Sequence, residues 1–138
     1  MRMKIDILIK ELTKDEGVRL MPYRDTVGKL TLGIGRNLDD VGISIDEANF
    51  MLENDIAKVI QQLDKSLTWW HDLSEVRQRV LCNMTFNLGI KSLLKFTDTL
   101  NNIKIGNYKQ AANNMRLSMW YKQVGARAER LAVMMEKG

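Results

Sequence analysis

The spacing of apolar residues along the chain changes once, within residues 17–37. On both sides of that stretch apolar positions recur at three and four, which predicts amphipathic helices. Within residues 30–35, leucine and isoleucine alternate with threonine and glycine, a period of two that is typical of a strand with one apolar face. Pro22 favours extended backbone before it, and Val27-Gly28 is typical of a turn. The pattern predicts one β-hairpin in an otherwise helical chain.

The helical pattern has recognisable ends. Gly17 is expected to end the first helix at Glu16, and Ser44 with Glu47 forms the sequence of a capping box that opens a long helix. Residues 120–123 are expected to be irregular. Helices are predicted over 4–16, 44–67, 75–88, 96–105, 107–115 and 126–135.

These elements indicate an α+β fold in one domain, 1–138, since a chain of 138 residues matches the usual size of a single domain. A small antiparallel hairpin lobe, about 17–43, is expected to be joined by the long helix to a larger all-helical lobe. That lobe is expected to comprise about 68–138 together with the N-terminal helix.

Composition narrows the classes of function. The net charge of +4 and pI of about 9.3 favour anionic partners such as nucleic acid or an acidic wall polymer, but the basic residues are dispersed. A single cysteine, Cys82, excludes an internal disulfide, and a single histidine, His71, excludes metal sites that need two histidines. We predict no metal and no cofactor. A Cys82–His71 nucleophile pair is an alternative that counting leaves open.

Two carboxylates flank the predicted hairpin, Glu16 at the helix end and Asp25 beside the turn. Hydrolysis of a glycosidic bond needs one protonated acid for the leaving oxygen and one ionised carboxylate to activate water or to attack the sugar. The alternative interpretation is structural, with Glu16 charging a helix end and Asp25 opening a turn.

The spacing of these two acids and a following threonine is more specific evidence than the two acids alone. Glu16, eight residues, Asp25, five residues and Thr31, set in DEGVRLMPYRDTVGKLTLGIG, resemble the catalytic segment of the T-even phage lysozymes, endolysins of glycoside hydrolase family 24. The resemblance continues in LCNMTFNLG, FTDTL and MWYKQVGARAER, and so covers nearly the whole chain. It implies that Glu16 is the general acid, that Asp25 activates water or stabilises the sugar cation, and that Thr31 helps to hold the water.

The resemblance also implies residues around the substrate. Asn37, Phe86, Thr99 and Asn114 match substrate-binding positions of the family, although Asn37 differs there in residue type. Phe86 as a core residue, and Thr99 and Asn114 as surface residues, are the structural alternatives.

Supporting residues follow from the same match. The match implies a substrate cleft, and Arg127 is expected to pair with Glu16 across it. Arg36 stands where the T-even enzyme has a histidine and is expected to pair with Asp55 on the long helix. The segment between Asn37 and Ser44 is much shorter than in that enzyme, so we expect a smaller hairpin lobe.

The resemblance implies hydrolysis of the β-1,4 bond between N-acetylmuramic acid and N-acetylglucosamine in bacterial peptidoglycan, with inversion at the anomeric carbon. A catalytically weak or inactive wall-binding relative is the alternative with the same fold. A small basic helical protein that binds nucleic acid is the alternative from another class, but dispersed arginines and the hairpin acids do not favour it.

The expected partner is peptidoglycan, with no nucleic acid and no membrane insertion, and the protein is expected to be a monomer. The N-terminal MRMKIDILIKEL has too short an apolar run for a signal peptide. An endolysin of this kind is expected to accumulate in the host cytoplasm, to need a separate holin-type permeabiliser, and to act on the wall after release.

Overall fold

The structure is a computed structural model that describes residues 2–138. The chain divides into two compact units, one extending to Phe50 and one comprising residues 51–138. No helix in the part of the chain that the structure describes has both the length and the apolar character needed to cross a membrane. The grouping of the N-terminal helix with the helical lobe stays a prediction.

The first unit contains helix α1 (Ile5–Glu16) and a three-stranded antiparallel sheet in the order β1-β2-β3, with strands Arg19–Arg24, Leu30–Gly33 and Arg36–Asn37. Gly17 ends α1 with a left-handed φ of 75° and donates its amide to Thr13 O, as its position predicts. The predicted hairpin is confirmed. The third strand is only two residues long, too short to produce an alternation in the sequence.

The elements beyond the sheet are helical and include each of the helices predicted there, with ends within two residues of those expected, so the α+β prediction is confirmed. They are α2 (Ile45–Ser66), a 3-10 turn (Trp70–Asp72), α3 (Glu75–Leu88), α4 (Ile90–Leu93), α5 (Thr97–Lys104), α6 (Tyr108–Arg116), α7 (Met119–Val124) and α8 (Ala126–Lys137). Within the described residues no strand follows Asn37.

The core of the second unit comes from the inward faces of these helices. Its fully buried side chains include Leu63, Val80, Leu81, Met84, Leu93, Ile103, Met115, Leu131 and Met135. Small residues lie where helices approach closely, with Ala111 and Ala112 on α6 and Ala128 and Ala132 on α8. A well-packed core of this kind holds α3, α5, α6 and α8 in fixed register, and these helices carry the candidate residues of the second unit.

One predicted segment is wrong. Residues 120–123 are not irregular but lie in α7, whose N-cap Ser118 accepts from Tyr121 N. The Trp120 ring is buried, meets Phe96 edge to face at 6.1 Å between centroids and donates to Asn87 Oδ1. The cap and these tertiary contacts stabilise the helix at residues that carry no helical signal of their own.

The capping box of α2 is confirmed. Glu47 N donates to Ser44 Oγ at 3.1 Å, and Ser44 N donates to Glu47 Oε1 at 2.9 Å. Two otherwise unpaired amides at the helix start are thereby satisfied.

Candidate active site

Asp25 closes the turn between β1 and β2. Its Oδ1 accepts from Val27 N at 3.0 Å and Lys29 N at 2.8 Å, and Gly28 N donates to Asp25 O at 3.0 Å with Gly28 at φ 85°. This is a type I turn followed by a left-handed glycine, a common hairpin connection. The bonds hold one carboxylate oxygen and leave Oδ2 as the oxygen available for chemistry.

Thr31 shares a face of the sheet with Asp25. Tyr23 pairs with Thr31, Arg24 with Leu30, and Asp25 N donates to Lys29 O, so the ladder continues into the turn. Because side chains alternate along a strand, Asp25 lies on the same face as Tyr23, and therefore on the face of Thr31, the cross-strand partner of Tyr23. The structure therefore brings Asp25 and Thr31 together.

The Thr31 hydroxyl has a defined direction. Thr31 is buried, with 4% of its surface exposed, and its Oγ1 donates to Lys29 O at 2.9 Å. Its one proton is thus used within the protein, and only the lone pairs of the oxygen remain for another partner. The Lys29 peptide groups bind both candidate residues, since Lys29 N donates to Asp25 and Lys29 O accepts from Thr31.

Glu16 is the last residue of α1, and its carboxyl lies against the backbone of Gly35, between β2 and β3. A Cβ atom placed on Gly35 would lie 2.6 Å from Glu16 Oε2. The helix end thus places the candidate acid beside the sheet that carries Asp25 and Thr31. The separation of the two carboxyl groups stays a prediction.

The side chain of Asn37 is engaged within the protein. Its Nδ2 donates to Asp40 Oδ2 at 3.0 Å, and its Oδ1 accepts from Asp40 N at 3.0 Å. Asn37 therefore stabilises the short loop that follows β3. Its predicted contact with substrate stays a prediction.

Arg36 has a different partner from the one that the sequence suggests. Its guanidinium binds Glu47 through two contacts, Nη1–Oε1 and Nη2–Oε2, each 2.8 Å long, and Nη1 also donates to Gly42 O. The expected Arg36–Asp55 pair is wrong. The capping box already holds the Glu47 carboxylate at the start of α2, only a short loop away from Arg36, so this acid is the better placed partner.

The Arg36–Glu47 pair predicts a pH dependence confined to acid. The guanidinium, with the backbone and side chain of Ser44, lowers the pKa of Glu47 from 4.5 to about 2. A lowered pKa adds stability that is fully present above the unfolded value and is lost as pH falls toward the folded one. We expect Glu47→Gln to be less stable than the wild type at neutral pH, with a difference that is constant above about pH 5 and shrinks toward pH 2.

Urea unfolding at a series of pH values measures this difference. Asp46→Asn, which removes a carboxylate from the same helical turn without touching Arg36, is the matched control. A Glu47→Gln deficit that persists unchanged at pH 2, or one that changes through neutral pH, would contradict the assignment.

In the second unit, Thr99 on α5 and Asn114 on α6 line one cavity of about 520 Å³. Thr99 is buried. Asn114 Oδ1 accepts from Asn102 Nδ2 at 2.8 Å, which orients the side-chain amide of Asn114 and does not use its NH₂ group. The cavity walls mix polar and apolar groups, including Asp98 and Trp120, as binding sites for small molecules commonly do.

Phe86 and Arg127 line a different groove of the same unit, about 550 Å³ in volume. Arg127 donates from Nε at 3.0 Å and from Nη2 at 2.7 Å to Asn83 Oδ1, so α3 orients the guanidinium. The structure does not place Phe86 in the cavity that Thr99 and Asn114 share. The pairing of Arg127 with Glu16 stays a prediction.

The Cys82–His71 alternative receives no support. His71 Nε2 binds Asp64 Oδ1, and Cys82 lines the groove of Phe86 and Arg127. Burial raises the pKa of the Cys82 thiol, which disfavours the thiolate that a nucleophile requires.

Sequence reasoning missed the backbone of Lys29, the contact of Gly35 with Glu16, and the asparagines that orient Arg127 and Asn114. The role of the Lys29 backbone could have been found from the sequence of the Asp25–Gly28 turn, since an aspartate that opens a turn commonly accepts from amides two or more residues further along the chain. The other contacts join residues distant in sequence and have no local signal.

The chain matches known proteins over most of its length. The family model described as phage lysozyme matches residues 13–135. The probable T4-type lysozyme 1 of Dictyostelium discoideum is 27% identical over 94% of this chain and 94% of its own length. The endolysin of Salmonella phage P22 is 28% identical over 83% of this chain and 80% of its length.

A third relative is much longer than this chain. The pre-baseplate central spike protein of Enterobacteria phage T4 is 29% identical over 92% of this chain, which spans only 27% of that protein. The match to the family model nevertheless covers most of the present sequence, including Glu16, Asp25 and Thr31. The chain therefore belongs to the phage lysozyme family of glycoside hydrolases.

Proposed function

We propose that this protein is a peptidoglycan N-acetylmuramidase that hydrolyses the β-1,4 bond between N-acetylmuramic acid and N-acetylglucosamine. Glu16 gives a proton to the leaving oxygen, and Asp25 with Thr31 activates water. The observation that carries the proposal is the hydrogen bonding of the Asp25 turn, which leaves one carboxylate oxygen and one hydroxyl oxygen as acceptors on the same face of the sheet.

Two acceptors on one face suit a water molecule that must attack. A water that donates one proton to Asp25 Oδ2 and the other to Thr31 Oγ1 directs its lone pair away from both. Asp25 then takes the proton as the oxygen–carbon bond forms, which is general base catalysis. Because the Thr31 proton is held by Lys29 O, the hydroxyl accepts from the water and does not compete for its lone pair.

This use of water implies inversion. Inverting glycosidases hold their two carboxyl groups ~6.5–9.5 Å apart to leave room for a water, whereas retaining enzymes hold them ~5–5.5 Å apart so that one can attack the sugar. A hydroxyl beside Asp25 has a clear purpose in the first case and less in the second. We propose the inverting separation for Glu16 and Asp25.

The biological setting follows from the same proposal. The similarity to an endolysin supports a role in lysis of the bacterial host. The protein accumulates in the host cytoplasm, a separate holin-type permeabiliser gives it passage, and it acts as a monomer on the wall.

An NMR time course of peptidoglycan digestion tests both reaction and stereochemistry. We expect new reducing ends on N-acetylmuramic acid, with the α-anomer formed first because the β-bond is inverted. A retaining muramidase run in parallel gives the β-anomer first. The β-anomer first with this protein would overturn inversion, and no new reducing end would overturn the muramidase proposal.

A further inference from the structure

Gly35, in the turn between β2 and β3, lies directly beside the carboxyl of the candidate acid. A Cβ atom at Gly35 would lie 2.6 Å from Glu16 Oε2, 2.8 Å from Cδ and 3.0 Å from Cγ. All three distances are well below a van der Waals contact of about 3.5 Å. The Glu16 carboxyl thus fills the space that a side chain would otherwise take.

Other glycines show that this contact is specific. Gly28, Gly33, Gly42 and Gly106 also have positive φ, from 65° to 85°, but a Cβ atom on any of them would meet nothing within 4 Å. Left-handed backbone alone explains those four positions. Gly35, with φ of 68°, has a second reason to be glycine, because the space beside it belongs to Glu16.

The backbone at Gly35 is held from the next residue. Arg36, the first residue of β3, pairs with Leu32 of β2. Its side chain binds Glu47 and Gly42 O. A methyl group added at Gly35 therefore meets a backbone that is tied down on its far side. The group that is free to move is the Glu16 carboxyl.

We propose that Gly35 is a positioning residue for the general acid. The absence of a side chain lets the Glu16 carboxyl rest on the Gly35 backbone, and this restricts the carboxyl to one side of the helix end. The proposal rests on the proposed function of Glu16. Gly35 takes no part in the proton transfer itself and acts only by setting where the proton of Glu16 is delivered, a step that requires hydrogen-bond reach of the leaving oxygen.

The test compares Gly35→Ala with Gly106→Ala, a matched variant that has the same kind of backbone strain without the contact. We expect kcat to fall about 100-fold in Gly35→Ala, the size of loss that ~1 Å of misplacement can cause, while KM stays within about threefold. The limb of the pH–rate profile that belongs to the general acid should also move. Gly106→Ala should keep the wild-type kcat and pH profile.

Stability provides a readout that does not depend on catalysis. We expect the urea midpoint to fall by a similar amount in Gly35→Ala and Gly106→Ala, because positive φ strains both variants and the exposed Glu16 carboxyl can move away from the added methyl group. A loss of kcat at equal stability then reports the position of the carboxyl and not general damage to the fold. A midpoint much lower in Gly35→Ala than in Gly106→Ala, or failure of Gly35→Ala alone to fold, would overturn the positioning role.

The two proposals fail in different ways. If Glu16→Gln keeps wild-type activity, the assignment of the general acid falls, whatever Gly35→Ala does. If Glu16→Gln is inactive but Gly35→Ala keeps wild-type kcat and pH profile, only the role of Gly35 falls. A crystal structure of Gly35→Ala with the Glu16 carboxyl unmoved would have the same consequence.

Discussion

Replacing Glu16 with glutamine is expected to abolish lysis without unfolding the protein. The amide has the shape of the carboxyl and fits the same space beside Gly35, but it has no acidic proton to give to the leaving oxygen. Loss of a general acid typically costs ~10²–10⁴-fold in rate, and cleavage of a poor leaving group places the effect at the upper end.

A turbidity assay on Gram-negative cells with permeabilised outer membranes measures the effect. Asp15→Asn is the matched control, since it removes the neighbouring carboxylate at the end of the same helix and should lyse normally. Circular dichroism and urea unfolding should show that both variants fold. Wild-type lysis by Glu16→Gln would refute the assignment of the acid.

Asp25→Asn is expected to have the second largest effect, a loss of ~10²–10⁴-fold, because an amide cannot accept the proton of the attacking water. The side-chain orientation is set by the turn. The amide oxygen takes the place of Oδ1, which accepts from Val27 N and Lys29 N, since the reverse orientation would lose both bonds. The amide nitrogen then stands where the base oxygen is needed.

Asp39→Asn controls for the loss of a carboxylate that lies after β3 and also contacts the β1–β2 hairpin. Asp39 Oδ2 also accepts a backbone amide, from Leu30 N at 2.8 Å, but the proposed mechanism gives it no part. Initial rates of reducing-end release on purified peptidoglycan should therefore be near wild type for Asp39→Asn and very low for Asp25→Asn. Asp25→Asn at more than about a tenth of the wild-type rate would exclude a general base at this position.

Local chemistry explains what the sequence could predict. The capping box at Ser44 and the end of α1 at Gly17 depend on residues within one helical turn, and both are found in the structure. The hairpin follows from alternation in 30–35. Resemblance to a family, and not spacing alone, distinguished Glu16 and Asp25 from ordinary acids at a helix end and a turn.

Tertiary contacts explain the features that the sequence could not predict. Helix α7 depends on Trp120 packing against Phe96 and donating to Asn87, partners that no local pattern indicates. The partner of Arg36 depends on how the short loop after β3 folds. The resemblance to the T-even enzyme, in which this segment is longer, suggested Asp55 instead of Glu47. The glycine at position 35 signals unusual backbone, but only the folded structure shows which side chain lies beside it.

The hydrogen bonds that build the first unit join residues close in sequence. Among the described residues, its longest side-chain link, Arg24 to Asp39, spans 15 positions, whereas Arg127 to Asn83 spans 44 and Arg77 to Met135 spans 58 in the second unit. Short loops close quickly and at low entropic cost. The sheet that orients Asp25 and Thr31 can therefore form early on the folding pathway, before the terminal helix reaches α3.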